Sequence, residues 1–131
     1  MAKTKFIELK QVFKTLLGPK GCVWDKKQTH QSLVCGLREE TRELIQAIKN
    51  EDFDNIKEEL GDVLLHVMFQ AQIASKEKEF NIEDVIDELI KKLKRRHPHV
   101  FGKTKVKSSS EVVANWNAIK VKEKKKRTGK G

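Results

Sequence analysis

Tyrosine is absent from this 131-residue chain, prolines number two, and aromatic residues make up only 6%. So little strand-favouring and turn-forming material excludes a β-sandwich or a β-barrel. No apolar run reaches the roughly 20 residues that a transmembrane helix needs. The opening Met1-Ala2-Lys3-Thr4-Lys5 lacks the apolar stretch of a secretory leader. A cytoplasmic protein without membrane contact is the expectation. The two cysteines, Cys22 and Cys35, have neither CxxC spacing nor histidine partners at finger spacing, which argues for free thiols and against a zinc site or a disulfide scaffold. What the chain does have is 37% hydrophobic and 36% charged residues, enough for one modest helical core.

The charge is unevenly spread. Of the formal net charge of +9, residues 120–131 carry +6. Glu39 to Asp62 holds nine acids against three bases, whereas Lys91 to Lys107 holds eight bases and no acid. An acidic block and a basic block in so small a protein suit a site that handles a cation and a polyanion together.

Apolar periodicity predicts helices over residues 4–17, 29–49, 53–75, 82–96 and 109–124, the second and third forming an antiparallel hairpin through Asn50-Glu51-Asp52. Gly18-Pro19 ends the first helix, and the aperiodic stretch 18–28 reads as an ordered loop containing Trp24. His97-Pro98 ends the fourth helix, and Ser108-x-x-Glu111 is a capping-box signature for the fifth. Residues 1–122 are expected to form one domain. Residues 123–131 have nothing to bury and read as a disordered basic tail, dispensable for catalysis.

The chemical signal lies in the hairpin. At 100° per residue with Leu33 at zero, Leu37, Leu44, Ala47 and Ile48 form one apolar stripe, and Glu40 falls inside it at about −20°. Glu43 sits at the stripe's edge, one turn on. Glu59 and Asp62 repeat the i, i+3 spacing on the next helix, just before the apolar run VLLHVMFQAQIA, which reads as buried on almost every side. Four converging carboxylates in a dry site repel one another, so something positive must neutralise them. Basic side chains in a salt-bridge network can do this. A hard divalent ion that prefers oxygen ligands, such as Mg²⁺, does it better. His66 lacks the Glu-x-x-His spacing of a di-iron bundle and reads as a hydrogen-bonded core histidine.

Five segments carry a resemblance: Gly21-Cys22-Val23-Trp24-Asp25; Glu39-Glu40-Thr41-Arg42-Glu43; Glu59-Leu60-Gly61-Asp62; the run from Lys92 to Phe101 containing RRHPHVF; and Trp116-Asn117-Ala118-Ile119-Lys120. Together they resemble the MazG nucleoside triphosphate pyrophosphohydrolases. The acidic motifs are shared across all-α pyrophosphatases, while RRHPHVF and WxxIK are more specific to MazG. Val23 stands where that family usually has proline, and Cys35-Gly36-Leu37-Arg38 is atypical ahead of the acidic motif.

The resemblance implies an all-α fold in which the hairpins of two subunits pair into a four-helix bundle, as a homodimer or a tetramer. It also implies Mg²⁺-dependent hydrolysis of nucleoside triphosphates to monophosphate and pyrophosphate, with Mn²⁺ as a substitute ion and nucleotide-pool housekeeping as the role. By position, Glu40, Glu43, Glu59 and Asp62 would ligate the metal, and Glu39 would hold a second metal or orient the attacking water. Lys92, Arg96 and Lys120 would bind phosphates, and Trp116 would stack on the base. The alternative from another class is a basic helical nucleic-acid-binding protein, which explains the tail but not the acids. Weak non-specific nucleic-acid contact through that tail is compatible with either reading. Related pyrophosphatases acting on phosphoribosyl-ATP or dUTP share the acidic motif but not RRHPHVF or WxxIK.

Overall fold

The computed structural model describes residues 4–128, and every regular element among them is helical. The elements are α1 (Lys5–Leu16), α2 (Val23–Lys27), a 3-10 turn (Gln31–Leu33), α3 (Val34–Lys49), α4 (Phe53–Lys76), α5 (Ile82–Arg96), α6 (Pro98–Phe101) and α7 (Ser109–Thr128). The all-α expectation holds. The chain resolves into two compact units, one running to Ile82 and the other from Glu83, where the sequence suggests one domain to residue 122.

In the first unit, Thr4 caps α1 by accepting the Ile7 N–H at 3.1 Å. The core joins Phe13 and Leu17 of the α1 end to Leu33 and to Met68, Phe69 and Ile73 of α4. Phe13 and Phe69 meet edge to face at 6.0 Å. The end of α4 is tied back by Lys76 Nζ, which donates to the Leu17 carbonyl at 2.9 Å.

The α3–α4 turn is a Schellman closure. Glu51 takes the left-handed conformation at φ 53°, its N–H donates to the Ile48 carbonyl, and the Asp52 N–H donates to that of Ala47. The Asp52 side chain then caps α4 through the Asn55 N–H. The three residues expected to turn the hairpin thus close one helix and open the next.

Three expectations change. Part of the supposed loop 18–28 is helix α2, five residues too short to show a period, with Trp24 exposed on it. The apolar run of α4 is buried on one side only: His66, Met68 and Phe69 are covered, while Leu64, Leu65 and Val67 are exposed, because α1 and α3 reach only one face. For the same reason Leu37 and Ile48, in the stripe of α3, are exposed although Leu33 and Ala47 are buried.

The second unit contains α6, α7 and α5 from Glu83 onward. The Ser108 hydroxyl accepts the Glu111 N–H at 3.3 Å, and the Glu111 carboxylate accepts the N–H of Lys107, one residue before the expected Ser108. The helix then runs to Thr128, six residues into the segment expected to be disordered. Its charged side chains have an anchoring partner on α5, described below. The remainder of that segment, 129–131, lies outside the described residues. No helix among the described residues is long and apolar enough to cross a membrane.

Candidate active site

On α3 and α4, carboxylate oxygens of Glu40, Glu43 and Glu59 all lie within 4.8 Å of one another. Glu59 is buried and Glu40 partly so, and Oε2 of each has no hydrogen-bond partner. Burial pushes the Glu40 carboxyl up to about 7 from an ordinary 4.5, helped by the nearby charges of Asp62 and Glu43. Glu59 is raised too, first by burial and then by Glu43 and Asp62. Asp62, one turn beyond Glu59, therefore belongs to the same electrostatic group.

Glu39 is separate. Its exposed carboxylate turns to the Arg42 guanidinium on its own helix, and that hydrogen bond lowers its pKa. Arg42 is thus spent on Glu39, and no basic side chain among the described residues pairs with Glu40, Glu43 or Glu59. The alternative of a salt-bridge network is not what the hairpin shows.

His66 lies on the same hairpin. It is buried as expected, but its Nδ1 has no partner, so the expectation of a hydrogen-bonded core histidine fails at that atom. Its ring packs on Gly36 of α3, where an added Cβ would stand 2.9 Å from Cε1 and 3.3 Å from Nε2. Glycine in that atypical CGLR segment makes room for the imidazole between the helices.

The basic site candidates Lys92, Arg96 and Lys120 all fall in the second unit. Arg96 of α5 lies over the Trp116 ring of α7, 5.1 Å from its centroid, and His97 meets the same ring edge-on at 5.2 Å. Arg96 Nη2 also donates to Glu123 at 2.7 Å, and Arg95 donates to the other oxygen of that carboxylate. Glu123 is held down at about 2 by hydrogen bonds from Arg96 and then Arg95, against the effect of burial. Lys92 lines a groove between α5 and α7, and Lys120 is exposed. Grouping Lys92, Arg96, Trp116 and Lys120 therefore understates how differently they are placed. Glu123 was missed because composition assigned it to the tail. Its seven-residue separation from Trp116, two helical turns along one face, was the available signal.

Fold and site together define a helical-hairpin protein with an unneutralised carboxylate cluster. The MazG nucleotide pyrophosphohydrolase domain family matches residues 28–101. The chain belongs to that family. It is 52% identical over 122 residues to the nucleoside triphosphate pyrophosphohydrolase/pyrophosphatase MazG of Thermotoga maritima, covering 93% of this chain and 46% of the relative. It is 51% identical to the uncharacterized protein YabN of Bacillus subtilis, covering 92% and 24%, and 46% identical to the nucleoside triphosphate pyrophosphohydrolase of Escherichia coli K12, covering 79% and 40%. The chain thus spans between a quarter and a half of the length of these relatives. Among solved structures, a mazG-related protein from Thermotoga maritima superposes with a TM-score of 0.68 at 28% identity, covering 86% of this chain and 95% of that one.

Proposed function

We propose that this protein is a Mg²⁺-dependent nucleoside triphosphate pyrophosphohydrolase, converting NTP and water to NMP and pyrophosphate in the cytoplasmic nucleotide pool. The observation that carries this reading is the cluster of Glu40, Glu43 and Glu59, raised in pKa and with two orphaned oxygens, within a MazG-family hairpin. An all-oxygen donor set of this charge suits a hard divalent ion, Mg²⁺ first and Mn²⁺ as substitute. Glu40, Glu43, Glu59 and Asp62 would hold it. Bound there, the ion supplies neutralisation of phosphate charge.

The chain's own residues account for the rest. Glu39 stays ionised at neutral pH, so on release from its exposed pairing with Arg42 it can accept a hydrogen bond from the attacking water and align it. Attack at the α-phosphorus expels pyrophosphate, whose charge needs Lys92, Arg96 and Lys120. Trp116 offers a flat ring to the base, with one face already covered by Arg96. The exposed free thiols Cys22 and Cys35 fit a reducing compartment.

Exposed Leu37, Ile45 and Ile48 on α3, and Leu60, Leu64 and Val67 on α4, favour pairing of two hairpins in a homodimer or tetramer. The test of function is a panel of canonical and modified NTPs and dNTPs with Mg²⁺. NMP and pyrophosphate are the expected products; NDP and orthophosphate as main products would overturn the assignment.

A further inference from the structure

Beside the carboxylate cluster lies a contact that the acidic motifs do not include. Gly36 stands four residues before Glu40 on α3, and His66 four residues after Asp62 on α4. In an antiparallel hairpin these offsets put both residues in one layer, one helical turn beyond the acids and on the side away from the 50–52 turn. There they touch: a Cβ added at Gly36 would stand 2.9 Å from His66 Cε1, about half an ångström inside ordinary van der Waals contact. Glycine inside a helix costs stability relative to alanine, so its presence at this contact calls for a reason.

The imidazole is confined. His66 is 6% exposed, and among the described residues no hydrogen bond holds its Nδ1, so packing fixes its position. The next layer outward is the core of Leu33 and Phe69, also buried, which leaves the ring little room to turn away. A bulkier residue 36 would therefore part α3 from α4. Both helices are stiff and joined at the turn, so the opening would carry to Glu40 and Asp62, which lie only four residues nearer that turn. Half an ångström is the scale that separates cations: oxygen ligands lie at about 2.1 Å from Mg²⁺ and at about 2.3–2.6 Å from Ca²⁺.

We propose that the Gly36–His66 contact is a spacer that holds α3 close to α4 beside the carboxylate cluster, and so makes the cluster select a Mg²⁺-sized ion over a larger divalent one. Neither residue is a ligand; both are positioning residues that act through Glu40 and Asp62. Selection of this kind rests on the cluster's binding a cation, as proposed above, and adds what sets the size of that cation.

Calorimetry of Mg²⁺ and Ca²⁺ binding to the full chain tests this without turnover. The parent is expected to bind Mg²⁺ more tightly. Gly36→Ala should lose about tenfold in Mg²⁺ affinity and less than about twofold in Ca²⁺ affinity, so that the preference falls by about fivefold or more. In a His66→Ala background, where the ring is gone, the same substitution should leave the preference within about twofold. There it should also raise the melting temperature, as helix propensity dictates, whereas in the parent the clash should lower it. Circular dichroism checks that the helices persist. Should His66→Ala not fold, Gly36→Ser in the parent provides a second wedge and should lower the preference as well. Mg²⁺ binding by the parent with an unchanged preference in Gly36→Ala or Gly36→Ser, or an equal fall in the two backgrounds, would overturn the spacer and leave the cation site standing. No divalent binding to the parent would overturn the cation site itself, and the selection with it.

Discussion

Glu40 and Glu123 are both helical glutamates, each partly buried, yet one carboxyl is pushed up to about 7 and the other held at about 2. The difference lies in their neighbours. Around Glu40 stand Glu43, Glu59 and Asp62, all of the same sign, and the one arginine in the motif is taken by Glu39. Around Glu123 stand two guanidiniums, each donating to one of its oxygens. The hairpin thus leaves its carboxylates unneutralised, whereas the α5–α7 pair uses a carboxylate to hold two arginines in place.

The sharpest way to break this contrast is to remove a charge from the hairpin. Glu40→Gln or Asp62→Asn should lower pyrophosphate release by about a hundredfold or more at saturating Mg²⁺, since the proposed metal site would lose a ligand. Far-ultraviolet circular dichroism should be unchanged. Near-normal turnover in either variant would dissociate the cluster from catalysis.

Glu123→Gln should instead act on stability. It weakens charge-assisted hydrogen bonds to Arg96, whose side chain is only 11% exposed, and leaves that guanidinium poorly compensated. A loss of about 2–3 kcal/mol is expected for the C-terminal helices, read from Trp116 fluorescence during urea unfolding in a Trp24→Phe background. In the parent chain the Glu123 contribution is fully present above the unfolded value near 4.5 and is lost as pH falls toward 2, because its folded pKa is depressed. The Gln variant should lack that acid-dependent loss. An unchanged midpoint would mean that the Arg95–Glu123–Arg96 bridge is ornamental.

Base and phosphate recognition should separate within the second unit. Trp116→Ala should raise KM by a factor that differs between bases, within a stacking contribution of about 1–3 kcal/mol. Lys92→Ala should weaken all NTPs alike and lower kcat as well. Uniform losses for Trp116→Ala would leave that ring as the packing partner of Arg96 and His97 alone.

The smallest expected effect sharpens the hairpin side. Glu40 has a raised folded pKa, so the metal-free protein binds more protons than its unfolded chain between pH 4.5 and 7, and its stability should fall as pH rises through that window. Melting temperatures at pH 5, 6, 7 and 8 should decline for the parent and decline less for Glu40→Gln. Added Mg²⁺ should raise the melting temperature more at pH 8 than at pH 5. Identical pH profiles for both proteins would show that Glu40 does not carry the strain.

Residue order by itself determined the helical hairpin and the placement of its acids, because both follow from a 3.6-residue period and short-range rules. Leu33 and Ala47 fall on one stripe, Glu40 interrupts it, and Asn50-Glu51-Asp52 contains both a stop and a cap. Periodicity is blind where an element is short, as in α2, and it marks an apolar face without saying what covers it, as at Leu64 and Val67. Composition is equally blind to partners. It counts Glu123 with a basic tail, and only the packing of α7 against α5 brings that carboxylate between Arg95 and Arg96, 28 and 27 residues away along the chain. Which charges are satisfied and which are left waiting was decided by tertiary structure, since Coulomb energy depends on distance in space and on the surrounding water, and neither is a property of sequence order.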